Sequence, residues 1–410
     1  MSDLPLPPLA LIANARMPSQ RAQSLQVLQV ASAFERAGAP TSLLHAQRIP
    51  TPSLPQGVDL FTYYALAPGP RPRVSAIPCT DWIDRVPTLL QYVPARVQEL
   101  TFARNAANFV RRNMPDGRVL SREAESALSL LRGSKPHPNV YIEVHRVPGG
   151  KTRRRWLIEA AAGARGLIAI SGGVREDLIS MGIPSADILV EHDGFEAGHE
   201  PLSRVAARAK LGLDASAPIV TYTGGLLAWK GVDLVVDAAA SLPDVTFVIV
   251  GGMDRDVQRL RLRVEESRRA GASANIRLEG FVAPTEVRTY LAAADLGLVP
   301  NRSKPAISSK YTSPLKVFEA MEAGLPLVVS DLPSLREILS GDEATFFPAD
   351  DASGLGVAIA NTLGDRGRLN QMAERMKERA KLHSWDARAK RILAWMDQRE
   401  SLASNTRGVA

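Results

Sequence analysis

Short runs of β-branched and aliphatic residues alternate with longer amphipathic stretches along most of the chain. Apolar positions that recur every three to four residues predict helices, whereas short unbroken apolar runs predict buried strands. The first strand is expected at residues 9–14 and the first helix at 22–37, which Gly38 ends. Further strands are predicted at 118–120, 140–144, 166–170, 188–191, 219–223, 246–250, 276–279, 296–300 and 327–329.

Strands separated by helices of about 10–15 residues are typical of βαβ units, in which the strands run parallel. The alternation is interrupted once, in the polar stretch 195–201, where we place a linker between two domains. The predicted fold class is therefore α/β, with two doubly wound, Rossmann-like domains facing a cleft. Ligands of such sheets bind at the carboxyl ends of the strands. The small polar residues 401–410 are expected to form a flexible tail.

The composition is that of a water-soluble globular protein, with 45% hydrophobic and 23% charged residues among 410. No apolar run approaches the roughly 20 residues that a membrane helix needs. The first eight residues lack the basic and apolar regions of a signal peptide. Cys79 is the single cysteine, so an internal disulfide is excluded. These features together predict a cytoplasmic protein.

The net charge of +7 is concentrated in the first half, where residues 96–155 hold thirteen Arg or Lys against five Asp or Glu. The densest part is Lys151 with Arg153, Arg154 and Arg155. One interpretation is an ordinary solvated helix face. The other is a patch that binds anionic lipid headgroups, at the inner face of the membrane, or a phosphorylated acceptor. Aromatic residues do not interleave with the basic ones, so nucleic acid is not expected as a partner.

Residues 313–331 read as a helix followed directly by a buried strand. Ser313 is predicted to cap the helix, with Pro314 in its first turn and Gly324 as its end. The free amides of a helix start, together with the helix dipole, form a site for an anion. Glu319 lies within this helix among apolar residues. A carboxylate in such surroundings needs hydrogen-bond donors, and a ribose diol offers two hydroxyls.

Residues 221–233 read as a strand that ends in Gly224 and Gly225, followed by a turn with Lys230 and a helix from Val232. Glycines allow a phosphate to approach the backbone closely. A nearby ammonium group neutralises the charge that builds on a leaving pyrophosphate. This segment therefore predicts a phosphate site at the carboxyl end of its strand.

Both segments resemble the signature of glycosyltransferase family 4, a group of retaining GT-B enzymes. The resemblance implies transfer of a sugar from a nucleotide diphosphate sugar to a glycan, a lipid-linked or a small-molecule acceptor, without a metal or another cofactor. It also implies an acceptor-binding domain at 1–197, to which a helix at 385–400 crosses back, and a donor-binding domain at 203–384.

The resemblance assigns roles to individual residues of the second domain. Glu319 corresponds to the glutamate that binds the ribose, and Lys230 to the lysine that contacts the diphosphate during catalysis. Gly224 and Gly225 correspond to the phosphate loop. The remaining donor-binding positions are Tyr311, Thr312, Ser313, Pro314 and Leu315, near the sugar and phosphates, and Phe281 and Val282, near the base.

In the first domain, His145 follows the predicted strand at 140–144, where the family often has a histidine near the donor sugar and the acceptor. We take it as a catalytic candidate, although a lone histidine after a strand is more often structural. The other acceptor-side candidates are Asn14, Arg16, Ser121 and Arg122. For the loop at 14–19 a simple proline-containing turn is the alternative.

Two departures from the family pattern leave other functions open. Tyr311 stands where the family usually has a second glutamate, and Gly225 stands where an arginine is common. Arg302, Lys304 and Lys310 are candidates for the missing positive charge. The alternatives are a non-catalytic subunit that binds sugar nucleotides and a nucleotide-sugar epimerase of the same fold.

Other chemistries find little support in the sequence. Asp254 and Asp256 have the Asp-x-Asp spacing of a metal-binding carboxylate pair, but their sequence context predicts the start of a helix. No spacing of His and Cys indicates zinc. Neither the dinucleotide-binding glycine motif nor the P-loop of ATPases is present.

Overall fold

The computed structural model describes residues 6–200, 202–271 and 273–407, and the side chains of 404–407 are not described. Contacts between Cα atoms divide the chain into two compact units. The first unit runs to His192 and includes the segment from Trp385 onward, whereas the second unit is Asp193–Ser384.

Within the described residues, the first unit contains a parallel sheet of seven strands in the order β3-β2-β1-β4-β5-β6-β7. Its strands are β1 (Leu9–Ala13), β2 (Thr41–Gln47), β3 (Arg73–Pro78), β4 (Arg118–Ser121), β5 (Val140–Val144), β6 (Gly166–Ala169) and β7 (Ile188–Val190). Every residue of β1, β4, β5 and β6 is buried, as expected of parallel strands that are covered on both faces.

The described part of the second unit contains a parallel sheet of six strands in the order β10-β9-β8-β11-β12-β13. Its strands are β8 (Ile219–Thr223), β9 (Thr246–Val250), β10 (Asn275–Gly280), β11 (Leu296–Val299), β12 (Leu327–Ser330) and β13 (Ala344–Phe347). Two apolar clusters cover its faces, one containing Tyr222 and Phe247 and the other Val248 and Phe318. The alternation of these residues along β8 and β9 places successive side chains on opposite faces.

Helices connect the strands in both units. They are α1 (Ala22–Arg36), α2 (Leu60–Tyr63), α3 (Tyr92–Asn113), α4 (Ala124–Leu131), α5 (Lys151–Gly163), α6 (Gly172–Ser180), α7 (Arg204–Leu211), α8 (Val232–Ala239), α9 (Asp254–Arg269), α10 (Pro284–Ala293), α11 (Leu315–Glu322), α12 (Pro333–Arg336), α13 (Ala352–Gly364), α14 (Arg366–Ala380) and α15 (Trp385–Arg407). None of the helices within the described ranges is both long and apolar enough to cross a membrane.

The last helix, α15, packs on the sheet and helices of the first unit. The indole N–H of Trp385 donates to Oε1 of Gln29 in α1 at 2.9 Å, and the hydroxyl of Tyr141 donates to Oε1 of Glu400 at 3.0 Å. Arg118 is buried, and its guanidinium donates to Glu400 at 2.8 and 2.9 Å and to Asp397. Hydrogen bonds thus fix the start of this helix to α1 and its later part to strands β4 and β5.

Part of the tail that the sequence predicts to be flexible at 401–410 is helical where the structure describes it. Helix α15 continues to Arg407, because no glycine or proline interrupts it before Gly408. The rest of the predicted tail, 408–410, lies outside the described residues.

The strand order reverses once in each sheet, between β1 and β4 in the first unit and between β8 and β11 in the second. Ligands of open parallel sheets bind outside the carboxyl ends of the strands at such a reversal. The residues that follow these strands include Asn14, Arg122, Gly224 and Asn301. The predicted architecture of two doubly wound parallel sheets is confirmed, and it identifies two strand ends at which to look for sites.

Candidate functional site

The loop after β8 is held close to the sheet by two hydrogen bonds. The N–H of Gly224 donates to the carbonyl of Val250 at 2.9 Å, and the hydroxyl of Tyr222 donates to the carbonyl of Gly225 at 2.6 Å. Gly224 has φ +122°, which side chains disfavour. At the end of the loop, Gly231 has φ +67°, and a Cβ there would overlap the carbonyl oxygen of Pro300. The glycines therefore allow a backbone path that other residues would distort.

Lys230 lies at the end of a short 3-10 turn, Ala228–Lys230, immediately before α8. Its side chain is half-buried, and Nζ lies 4.1 Å from the centre of the Trp229 ring. Burial lowers the pKa of Lys230 to about 8. The ammonium therefore remains mostly charged at neutral pH, and an anionic ligand would stabilise it further.

The start of α11 differs from the prediction. The helix begins at Leu315, and Pro314 occupies the cap position with an extended backbone, without a side-chain cap. Ser313 was wrongly predicted as the cap, because its hydroxyl instead accepts the backbone N–H of Asp193 at 2.8 Å. Tyr311 ends a π-helical turn, and Thr312 is extended and nearly buried. The first turn of α11 thus keeps the amides that an anion could bind.

Lys316, in the first turn of α11, was missed by the sequence analysis. Its side chain is buried, with 8% exposure, and Nζ lies 3.4 Å from the centre of the Tyr222 ring. Among the described residues, Nζ of Lys316 has no hydrogen-bond partner. Burial, and after it the charge of Lys230, hold the pKa of Lys316 well below its usual range. A lysine within an otherwise apolar helix start was the signal available in the sequence.

Glu319 lies three residues after Lys316, on the same side of α11. Its carboxylate is half-buried. Burial raises the pKa of Glu319 to about 7, the charge of Lys316 acts in the opposite direction, and that of Glu322 adds to the rise. Lys316 therefore interacts electrostatically with both Lys230 and Glu319 at the carboxyl end of a single sheet.

The remaining predicted donor-side residues lie at the carboxyl end of β10, separated from β8 by β9. Phe281 has 40% of its surface exposed, whereas Val282 is half-buried and packs against the apolar core. The N–H of Gly251 donates to the carbonyl of Gly280 at 2.6 Å and ties this strand end to the end of β9. Phe281 and Val282 therefore lie at the carboxyl end of the sheet, where ligands of such sheets are expected to bind.

The charge of Arg302, a candidate for the missing cation, is already neutralised. Its guanidinium pairs with Asp233 and lies 3.5 Å from Asp350. Arg302 therefore stabilises the loop after β11 rather than offering a free charge, since its backbone N–H also donates to the carbonyl of Trp229 at 2.9 Å.

In the first unit, Asn14 and Ser121 bond to Glu123, two residues after the end of β4. The N–H of Asn14 donates to Oε1 of Glu123 at 2.8 Å, and the hydroxyl of Ser121, fully buried, donates to the Glu123 carbonyl at 2.8 Å. Burial raises the pKa of Glu123 to about 7. Arg16 pairs with Asp84 at 2.6 Å. Ser121 and Arg16 thus bond to other residues of the protein, which makes them weaker candidates for contact with a ligand.

Arg122 and His145, two of the acceptor-side candidates, lie together at the ends of β4 and β5. Nη2 of Arg122 is 2.7 Å from Nε2 and 3.3 Å from Nδ1 of His145, and the same Nε2 lies 2.6 Å from Oε1 of Glu143. Glu143 is buried and also accepts from Arg388 of α15 at 2.8 Å. Burial opposes the charge of Glu143, but Arg388, His145 and Arg122 together hold its pKa well below its usual range. Glu143, missed by the sequence analysis, therefore orients His145.

The residues that the structure describes contain no group of three or more His, Cys, Asp or Glu side chains placed to hold a metal ion. Asp254 and Asp256 lie in the first turn of α9, where carboxylates interact favourably with the helix dipole.

Comparisons with known proteins agree with this geometry. Residues 217–365 match the family model described as Glycosyl transferases group 1. The D-inositol 3-phosphate glycosyltransferase of Nocardia farcinica is 29% identical over 273 residues, which cover 65% of this chain and 57% of that protein. The alpha-galactosylglucosyldiacylglycerol synthase of Streptococcus pneumoniae is 27% identical over 43% of this chain and 46% of its own length. The chain thus spans about half the length of these curated relatives.

Solved structures share the fold over nearly the whole chain. Sucrose-phosphate synthase of Thermosynechococcus elongatus has a TM-score of 0.73 at 21% identity, covering 97% of this chain and 100% of that one. HepE of Anabaena, solved in complex with UDP-glucose, has a TM-score of 0.69 at 17% identity, with 97% and 100% covered. At these identities the likeness establishes the GT-B fold.

The raised pKa of Glu319 predicts how its replacement changes stability with pH. Because the folded-state pKa of about 7 exceeds the usual 4.5, the free energy of unfolding falls as the pH rises through that window. Glu319→Gln removes this fall in the free energy of unfolding. The melting temperature of the variant relative to wild type should therefore be higher at pH 8 than at pH 5, in the absence of ligand. Glu286→Gln, at an exposed position of α10, is the control. A difference that does not change with pH would contradict the burial of the charged carboxylate.

Proposed function

We propose that this chain, a GT-B protein whose residues 217–365 belong to the group 1 glycosyl transferases, transfers a sugar from a nucleotide diphosphate sugar to an acceptor. The observation that carries the proposal is the second unit's strand end, where a glycine loop, the half-buried Lys230 and the uncapped start of α11 are adjacent in the fold. A diphosphate fits this combination of amides and ammonium. The names of the matched relatives support the reaction class.

Lys230 is assigned to the diphosphate. Negative charge grows on the leaving diphosphate in the transition state, and a preorganised ammonium at low solvent exposure stabilises that charge most. Burial prepares Lys230 for this role, because it removes competing water and lowers the pKa towards the working range. We propose that this lysine, rather than a metal ion, neutralises the leaving group.

Glu319 is assigned to the ribose. Its carboxylate follows the anion-binding first turn of α11, and its own charge is poorly solvated. Two hydroxyls of a ribose would satisfy the carboxylate oxygens, while the diphosphate would bind at the helix start. Phe281 and Val282, at the end of β10, are assigned to the base, as the family resemblance implies.

The first unit is proposed to bind the acceptor at the ends of β1, β4 and β5. Arg122 and His145 are the strongest candidates there, because Glu143 fixes the imidazole and Arg388 holds Glu143. Asn14 reaches the same strand ends through its bond to Glu123. With no carboxylate assigned as a nucleophile, we propose retention of the anomeric configuration, with the leaving phosphate accepting the proton of the acceptor hydroxyl.

We also propose that the first unit contacts anionic membranes. The basic cluster, defined as Lys151, Arg154 and Arg155, is exposed at the start of α5. An exposed apolar segment, residues 89–93, leads into α3, and in it Leu89 is 96% and Leu90 65% exposed. The two are joined through α3, since Arg153 of α5 pairs with Glu99 at 2.9 Å. Exposed apolar and basic groups of this kind suit a lipid surface.

The catalytic proposal predicts that Lys230→Ala lowers the turnover number far more than it lowers stability. Loss of a preorganised charge contact costs about 2.7–4 kcal/mol, or roughly two to three powers of ten in rate. Release of nucleoside diphosphate from a panel of nucleotide sugars measures the rate, and Lys210→Ala on the surface of α7 is the matched control. A folded Lys230→Ala protein with near wild-type rate would contradict the assignment. Wild-type protein that binds donors but never releases the diphosphate would favour a non-catalytic binding subunit.

The membrane proposal predicts reduced sedimentation with phosphatidylglycerol-containing vesicles when the basic cluster is replaced by glutamines. Each basic residue near such a surface contributes about 1 kcal/mol, and salt screens that contribution. Replacing Leu89 and Leu90 by serine should weaken binding at low and high salt alike. Glutamines at Arg366, Arg368 and Arg375 of α14 remove the same charge from the second unit as a control. Equal vesicle binding by all variants would identify the cluster as an ordinary solvated helix face.

A further inference from the structure

Lys316 presents a charge problem that the roles assigned so far do not solve. Its side chain is more than nine-tenths buried, and among the described residues its Nζ has no hydrogen-bond partner. Its closest described contact is the face of the Tyr222 ring, 3.4 Å from Nζ to the ring centre. A buried ammonium without an anion costs free energy, so such a group is kept where a ligand supplies the anion.

The position of Lys316 links it to the glycine loop. A Cβ built on Gly224 would lie 3.4 Å from both Cε and Nζ of Lys316, so the end of this side chain lies against the first glycine of the loop. Tyr222 contacts both Lys316 and the glycine loop. Nζ of Lys316 lies over its ring, and its hydroxyl donates to the carbonyl of Gly225 at 2.6 Å. A phosphate bound to the loop would therefore meet this ammonium.

Lys230 is near enough to Lys316 for its charge to affect the ionisation of Lys316. The charge of Lys230 lowers the pKa of Lys316, in addition to burial, whereas Glu319 raises it. Two cations that repel each other in a poorly solvated site favour a ligand with at least two negative charges. A diphosphate carries such charges, whereas a sugar or a nucleoside does not.

The residues around the glycine loop leave space for the ammonium group of Lys316. Gly225 stands where an arginine is common in the family that the sequence resembles, and nothing lies within 4 Å of a Cβ built there. Arg302 cannot substitute for that arginine, because it pairs with Asp233 and Asp350. Lys316 approaches the same loop from α11.

We propose that Lys316 is a second diphosphate-binding cation of the donor site and replaces the arginine absent from position 225. The assignment rests on the proposed function and deepens it, since it makes the recognised ligand class nucleoside diphosphates and their sugar esters. Lys316 and Lys230 then contact the diphosphate from α11 and from the loop before α8.

Calorimetric titration of UDP, GDP and ADP into wild type and Lys316→Met tests the assignment. Methionine is one atom shorter than lysine but keeps an unbranched apolar side chain, so folding should be preserved, and Lys316→Gln is a second variant. Affinity for the diphosphate that binds wild type should fall about tenfold to a hundredfold. Affinity for the matching nucleoside, measured in competition with that diphosphate, should change little.

A rescue variant distinguishes a charge role from a packing role. Gly225→Arg in the Lys316→Met background places a cation at the open position, and diphosphate affinity should recover most of its loss. Proton uptake gives a further readout at pH 8.5, because anion binding raises the pKa of a buried lysine. Titrations in two buffers of different ionisation enthalpy should show that wild type takes up more protons than Lys316→Met when the diphosphate binds.

Three results would overturn the assignment. Equal diphosphate affinity of wild type and both Lys316 variants would remove Lys316 from the site while leaving the proposed function intact. Equal losses for the nucleoside and the diphosphate, without rescue by Gly225→Arg, would make Lys316 a packing residue. If wild type binds none of the three diphosphates or their glucose esters, the proposed function fails together with this assignment.

Discussion

Three ionisable groups with little access to water, Lys230, Lys316 and Glu319, meet at the carboxyl end of the second unit's sheet. Within the described part of the chain, the ammonium of Lys316 has no hydrogen-bond partner, and burial lowers the pKa of Lys230 while it raises that of Glu319. Each shift is a free-energy cost in the free protein. A ligand with a diphosphate and two vicinal hydroxyls would remove these costs together, and this complementarity connects the local structure to the proposed chemistry.

The surrounding backbone is adapted to keep this arrangement fixed. The carbonyl of Pro300 packs against Gly231, and the N–H of Arg302 donates to the carbonyl of Trp229, so the loop after β11 supports the turn that carries Lys230. The first unit uses a different device, in which buried Glu143 holds His145 and is itself held by Arg388 of the last helix. Preorganisation of this kind lets fixed groups stabilise developing charge without rearrangement.

Strong local patterns predicted the buried strands of both sheets. The unbroken apolar runs at 219–223 and 246–250 became β8 and β9. Strands β2, β3 and β13 were not predicted, because Thr41–Gln47 mixes polar and apolar residues and the other two lie at the edges of their sheets. The motifs singled out Lys230 and Glu319 as candidates, but Lys316 and Glu143 were overlooked, since their contacts are with residues distant in sequence. Ser313 failed as a cap because its hydroxyl bonds to Asp193, a contact that no local pattern reveals.

The central claim is that α11 binds the ribose of a nucleoside diphosphate through Glu319, and a double-mutant cycle tests it most directly. Calorimetry would compare wild type and Glu319→Gln, each with the nucleoside diphosphate and with its 2′,3′-dideoxy analogue. Glutamine loses the charge-assisted bonds, so binding of the natural ligand should weaken by about 1.5–3 kcal/mol. The dideoxy ligand lacks both hydroxyls and should bind wild type and variant alike. An equal loss of affinity for both ligands would contradict the claim, because Glu319 would then act on the protein rather than on the ribose.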